Sequence, residues 1–429
     1  MKKSILLLSF VLVLLSLTVM AGTYPNTYYA NAKTFIGYLS SENFSAAQEM
    51  FNQQMKKDLP LQKLEALWNT VKAQAGEFSG IEKMGIAKSG EYIVVVVNVK
   101  FQHAYLDFKL VFDSSLKIAG LWITQAKTPK YELPSYVDLS AFTVKKIEIG
   151  QKWKLPAELT IPRGKGPFPA VVLIPGSGPS DMNETIGVNE PFKDIAYGLS
   201  TMGIAVLRYD KRAHVYAKEI KDINVQNIYL QDASYAIEYM LKEPNVSKVF
   251  VLGHSLGAYL LPEIAKENPQ VAGLIMLAPP ARDLAHVMVD QLEYILKLSP
   301  NSADEIEKIL DKLKLIEEHK LDANEFVMGA PASYYYELEK YDPISILKTL
   351  SKPVLICQGG KDYQVTAKDY NMFKNAFQSN SLFTFKWYPN LSHIFTPVSG
   401  VPSPANYQTA SNVSQEVIEE LADWIQRHL

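Results

Sequence analysis

Val249-Phe250-Val251-Leu252-Gly253-His254-Ser255-Leu256-Gly257 decides how this chain is read. A short apolar strand breaks into Gly-x-Ser-x-Gly, and an Ala- and Leu-rich helical stretch follows, which is the local context of a nucleophile elbow. A serine on so sharp a strand-to-helix turn sits in strained torsions, at a cost of about 1–3 kcal/mol, and persists only where the fold imposes them. Glycine at 253 and 257 removes the Cβ atoms that would keep strand and helix apart, and Ser255 is left projecting above the sheet near the positive end of the following helix.

The surrounding pattern agrees with that context. From Val144 onward, apolar strands alternate with helix-spaced segments: an opening hairpin over 144–149 and 156–161, then strands 169–174, 204–208, 249–253, 273–277, 354–358 and 382–388. Helices are predicted over 192–201, 228–242, 256–267, 366–377 and 413–428. Such alternation demands an α/β fold with a mostly parallel, doubly wound sheet covered on both faces. Residues 282–349 interrupt it with consecutive helices, 284–298, 303–319 and 333–340, between two core strands. An insertion there belongs above the strand ends where ligands bind, so it reads as a helical cap.

Upstream the pattern differs. Apolar positions from Phe35 to Trp68 are helix-spaced, and 91–101, 104–112 and 116–124 read as three consecutive strands. Residues 22–127 therefore form a small α+β domain of helices followed by an antiparallel meander, 128–143 a linker, and 144–429 the second domain. Lys2-Lys3, the apolar run Ile5–Met20 and Ala21 read as an export signal over 1–21, the expected membrane contact of the chain, which places the protein outside the cytoplasm. A single cysteine, Cys357, excludes an intrachain disulfide and sits in an apolar run as a buried, inert thiol.

The 429 residues carry a formal charge of -2 with no long basic run, which argues against a nucleic-acid partner. Metal-ligand spacings such as H-E-x-x-H and paired cysteines are absent from the sequence, and no cofactor motif is found. What the chain does offer is the remainder of a catalytic triad in the order that accompanies this elbow. Strand 354–358 runs into Gly359-Gly360-Lys361-Asp362, and strand 382–388 into Pro389-Asn390-Leu391-Ser392-His393. Ser255 is the expected nucleophile, His393 its base and Asp362 the orienting acid. Asp210 is the rival acid, but it precedes the elbow, and Asp210-Lys211-Arg212 reads as a local ion-pair turn. Two N–H donors must meet the charge that develops on an attacked carbonyl: Leu256 at the helix start, and Ser177, with Gly178 behind it, in the loop Pro175-Gly176-Ser177-Gly178-Pro179. That loop lacks the endings of phosphate-binding loops.

Together these residues resemble the α/β-hydrolase superfamily from about Val144 to the C-terminus. Phe168–Asp181, Arg208-Tyr209-Asp210-Lys211-Arg212 and the elbow are similar to bacterial carboxylesterases related to dienelactone hydrolases and acyl-peptidases, several of which also carry a small N-terminal α+β domain. Pro175 stands where such relatives commonly have histidine. The resemblance implies a serine carboxylesterase acting on a small acyl ester through Ser255, Asp362 and His393. A peptidase, amidase or thioesterase with the same triad is the alternative, and an exported binding protein on a hydrolase fold the alternative of another class.

Overall fold

The computed structural model describes residues 26–126, 130–298 and 303–429, and the chain divides into two compact units, Met1–Pro129 and Lys130–Leu429. The expected signal segment lies outside the described residues.

In the first unit, helices α1 (Asn26–Ser40), α2 (Phe44–Glu49), α3 (Gln53–Asp58) and α4 (Leu61–Ala75) precede an antiparallel sheet in the order β1 (Phe78–Ser89), β2 (Tyr92–Phe101), β3 (Tyr105–Phe112), β4 (Ile118–Gln125). Phe35, Phe51, Trp68, Val95, Val97, Phe108 and Phe112 form its core. The expected three-strand meander gains a fourth strand, β1. Its sequence hid it, because Gly80, Gly85 and five charged or polar positions weaken the alternation, and two register irregularities against β2 break the period further.

The second unit begins earlier than the expected position 144. Segment 130–140 packs on this unit rather than spanning a gap: Tyr131 Oη donates to Asp194 at 2.6 Å and Tyr136 Oη to the Val413 carbonyl at 2.8 Å. Strands β5 (Phe142–Ile149) and β6 (Leu155–Pro162) form the opening hairpin, followed by β7 (Phe168–Ile174), α5 (Pro191–Thr201), β8 (Ala205–Tyr209) and a single turn α6 (Arg212–Val215). A π-turn, Gln226–Leu230, leads into α7 (Gln231–Lys242), then β9 (Val246–His254), α8 (Leu256–Glu267) and β10 (Leu274–Leu277).

The insertion follows as α9 (Leu284–Leu298), α10 (Ala303–Glu317), a hairpin of β11 (Phe326–Val327) and β12 (Ala330–Pro331), α11 (Ala332–Leu338) and α12 (Pro343–Leu347). The chain returns through β13 (Val354–Gly359), α13 (Ala367–Phe377), β14 (Phe383–Tyr388) and α14 (Gln415–Arg427). The eight strands are ordered β14-β13-β10-β9-β7-β8-β6-β5, antiparallel only where β6 meets β5 and β8.

Burial on both faces explains the continuous apolar runs. Along β7, Ala170, Val172 and Ile174 join the core shared with α7 and α8, while Val171 and Leu173 join the one shared with α5 and α14. The parallel strands β7, β9, β13 and β14 all end at one edge of the sheet, and the loops that follow them carry the expected site residues.

Candidate active site

Ser255 caps helix α8 with φ 52° and ψ −121°, a left-handed conformation that side chains avoid. Packing enforces it. A Cβ at Gly257 would lie 2.3 Å from the Ile174 carbonyl oxygen, so only glycine lets α8 start hard against the end of β7. The Ser255 amide donates to the Leu277 carbonyl at 2.9 Å, tying the turn to β10 on its other side.

Acid and base meet across two adjacent loops. A Cβ at Gly359 would sit 2.5 Å from the carbonyl oxygens of Leu391 and Ser392, so the loop after β14 passes directly over the end of β13. His393 Nδ1 then lies 2.7 Å from Asp362 Oδ2, with both side chains buried. Asp362 is fixed in turn: Oδ1 accepts from the amides of Gln364 and Val365 at 2.8 and 2.9 Å, and Oδ2 from Gln358 Nε2 at 3.0 Å. An aspartate held by four donors has one orientation, and it sets the ring it faces.

The Ser255 hydroxyl makes no hydrogen bond among the described residues, to His393 or any other; its neighbour His254 makes the link to the base. The two histidine rings lie 4.6 Å apart, and His254 Nε2 is 2.9 Å from the His393 carbonyl. On its other side His254 Nδ1 sits 3.0 Å from Glu184 Oε1 in a bent arrangement, so charge rather than direction holds that contact. Burial pulls the His254 pKa down, but the Glu184 charge, the contact with its carboxylate and the His393 carbonyl outweigh burial, and the value is raised. Glu184 carried no signal in the sequence beyond being one acidic residue in a loop.

The loop after β7 is held by buried groups, among them Lys211, which the sequence reading places in an ion-pair turn. Glu184 Oε1 accepts from the Gly176 amide at 2.5 Å, while the Gly176 carbonyl accepts from Lys211 Nζ at 2.9 Å and Tyr229 Oη at 2.6 Å. A Cβ on Gly176 would fall 3.2 Å from Ser255 Cβ, which puts this loop beside the nucleophile. The amides of Leu256, Ser177 and Gly178 donate to no acceptor among the described residues, and the Gly176 amide is already occupied.

The expected Asp210-Lys211-Arg212 ion-pair turn does not form. Asp210 accepts from the Met182 amide at 2.7 Å, Lys211 turns to Gly176 and Tyr229, and Arg212 pairs with Asp232. Burial explains the dispersal, because Lys211 and Arg212 are both removed from water and each must find its own partners. Cys357 is buried on β13, and burial pushes its thiol up to about 12, so it is no nucleophile.

A cleft of about 300 Å³ is lined by Tyr294 and Lys297 of α9 and by Lys361, Asp362 and Tyr363, not by Ser255 or His393. The insertion is anchored at its start, where Arg282 bonds the buried Asp369 with Nε and Nη2 and pairs with Asp290 through Nη1. Among the described residues no cluster of three His, Cys, Asp or Glu side chains is placed to hold a metal ion.

Residues 182–396 match the family described as "Serine aminopeptidase, S33", and residues 32–121 a family described as a protein of unknown function, DUF3887. The chain is 41% identical over 391 residues to the esterase EstD of Thermotoga maritima, covering 91% of this chain and 93% of that one. Among solved structures it is similar to Est1E from Butyrivibrio proteoclasticus, with 16% identity, a TM-score of 0.46 and 66% of this chain and 98% of that one covered. It is also similar to the acylaminoacyl peptidase of Pyrococcus horikoshii, with 11% identity, a TM-score of 0.46 and 82% and 56% covered. By the matched family and by its kinship with EstD, the chain belongs to the α/β hydrolases.

Proposed function

We propose that this protein is a serine carboxylesterase that hydrolyses short to medium acyl esters through an acyl-Ser255 intermediate. The observation that carries the reading is the buried His393–Asp362 pair, 2.7 Å apart, in loops at the same strand ends as a serine in a strained elbow. With Nδ1 facing a carboxylate, His393 carries its proton there and leaves Nε2 as the free base. Nε2 takes the hydroxyl proton as Ser255 Oγ attacks the acyl carbonyl, and returns it to the departing alcohol as the ester C–O bond breaks. Water then repeats the sequence: it loses a proton to His393, attacks the acyl carbon, and Ser255 leaves with that proton. The amides of Leu256 and Ser177 stabilise the oxyanion in both halves, and kinship with a named esterase supports the substrate class.

The test is Ser255→Ala assayed with a nitrophenyl acyl ester. Turnover falls by at least about 10³-fold while the fold is kept, and activity near the parent would place the nucleophile elsewhere. A second reading, cleavage of aminoacyl amides by the same triad, is favoured by the description of the matched family. Parallel assays with an ester and an aminoacyl amide separate the two, since a clear amide preference would displace the esterase reading.

We also propose that the protein is exported. Lys2-Lys3, the apolar run to Met20 and the small residue Ala21 support this, and mass spectrometry of the mature N-terminus in a native host tests it. A start near Gly22 is expected, and an intact Met1 in the cytoplasmic fraction would contradict it.

A further inference from the structure

We propose that Lys211 and Tyr229 are positioning residues that aim the Ser177 amide at the oxyanion by jointly anchoring the Gly176 carbonyl. The inference rests on the catalytic reading above and assigns a role to two buried residues outside the triad.

The geometry carries it. Lys211 follows β8 and Tyr229 lies on the π-turn before α7, yet both donate to one oxygen, at 2.9 and 2.6 Å, and Lys211 Nζ also donates to Tyr229 Oη at 2.6 Å. The peptide joining Gly176 to Ser177 is trans, so the carbonyl of 176 and the N–H of 177 point in opposite directions across one rigid plane. Two donors pulling the carbonyl inward therefore turn the Ser177 N–H outward, toward the exposed tip of the loop. Glu184 holds the preceding peptide through the Gly176 amide, so the plane cannot swing about either end.

A lone structural anchor would not need a lysine here. Burying an ammonium is expensive, and replacement by an apolar chain of similar volume is often neutral or stabilising. Burial brings Lys211 down to about 7, against the opposing charges of Glu184 and Asp232. Ammonium and amine alike keep an N–H for the Gly176 carbonyl, so the anchor outlasts the proton. The π-turn that presents Tyr229 is itself pinned, because the Val225 amide donates to Glu337 Oε2 of α11 at 2.9 Å. Short π segments recur at functional sites because they displace one side chain out of helical register.

The test compares Tyr229→Phe, Lys211→Met and the double variant with the parent on a nitrophenyl acyl ester, with rates expressed per active site titrated by a fluorophosphonate. Each single change is expected to lower kcat about 10-fold, and the pair about 10²-fold, the lower range for loss of one oxyanion donor, with KM within about twofold. Affinity for a boronic acid that forms a tetrahedral adduct should fall by the same factor as kcat, a change that a purely structural role would not produce. Tyr229→Phe keeps the ring, so it remains informative if the double variant folds poorly. A kcat per titrated site equal to the parent's in Tyr229→Phe and Lys211→Met overturns the inference. Full activity in Ser255→Ala would instead overturn the catalytic reading beneath it.

Discussion

The loops that carry acid and base and the shell that holds the oxyanion loop occupy the same edge of one sheet, but they are built in opposite ways. Asp362 and His393 lie in short loops directly after β13 and β14, each carried by its own strand, with Asp362 held by backbone amides a few residues away and His393 facing Asp362. The shell is assembled from Glu184, Lys211, Tyr229 and His254, which approach Gly176 and His393 from four segments through buried polar and charged groups. The ends of neighbouring strands therefore place the reacting groups, and polar contacts from scattered segments hold the oxyanion loop.

The largest expected effect separates the two regions outright. Asp362→Asn keeps the shape of the acid but can present an amide N–H to His393 Nδ1, favouring the wrong tautomer, so kcat is expected to fall about 10³–10⁴-fold. Steady-state kinetics with melting temperature alongside would check it, and a loss smaller than that of the Lys211 and Tyr229 variants would reverse the ranking of the regions.

Glu184→Gln probes the shell by its charge. Because the folded His254 pKa is raised, the stability from its pairing with Glu184 is fully present below the unfolded pKa of about 6.5 and is lost as pH rises through the folded value. The melting temperatures of parent and variant should therefore differ more at pH 6 than at pH 9, and NMR titration should find a lower His254 pKa in the variant. An unchanged His254 pKa would mean that the bent contact carries no charge coupling.

The smallest effect concerns backbone strain at the elbow. Both Ser255→Ala and Ser255→Gly remove the hydroxyl, but only glycine tolerates φ 52° freely, so the glycine variant should melt about 2–4 °C above the alanine one. Equal melting temperatures would show that the torsion stores no appreciable energy.

The same contrast explains what could be read from sequence. Gly-x-Ser-x-Gly and the strand–loop placement of residues 362 and 393 express themselves in short contiguous stretches, and the insertion between β10 and β13 as consecutive helical periods, so periodicity finds them. Strand β1 escaped because glycines and bulges blur its alternation. Glu184 and Tyr229 escaped for another reason: their partners are single backbone groups, 8 and 53 positions away with no periodic pattern between, and nothing in the sequence marks a residue whose meaning is one carbonyl or amide. Lys211 was visible as a charge but was given to its neighbours, since adjacency in sequence favours Asp210 and only burial sends it to Gly176.

The most direct measurement is the site of covalent capture. After brief reaction with a fluorophosphonate, or with a slow ester quenched in acid, peptide mass spectrometry should find one adduct, on Ser255, absent from Ser255→Ala and slow to form in His393→Ala. An adduct on another residue, or parental ester turnover in Ser255→Ala, would contradict the account.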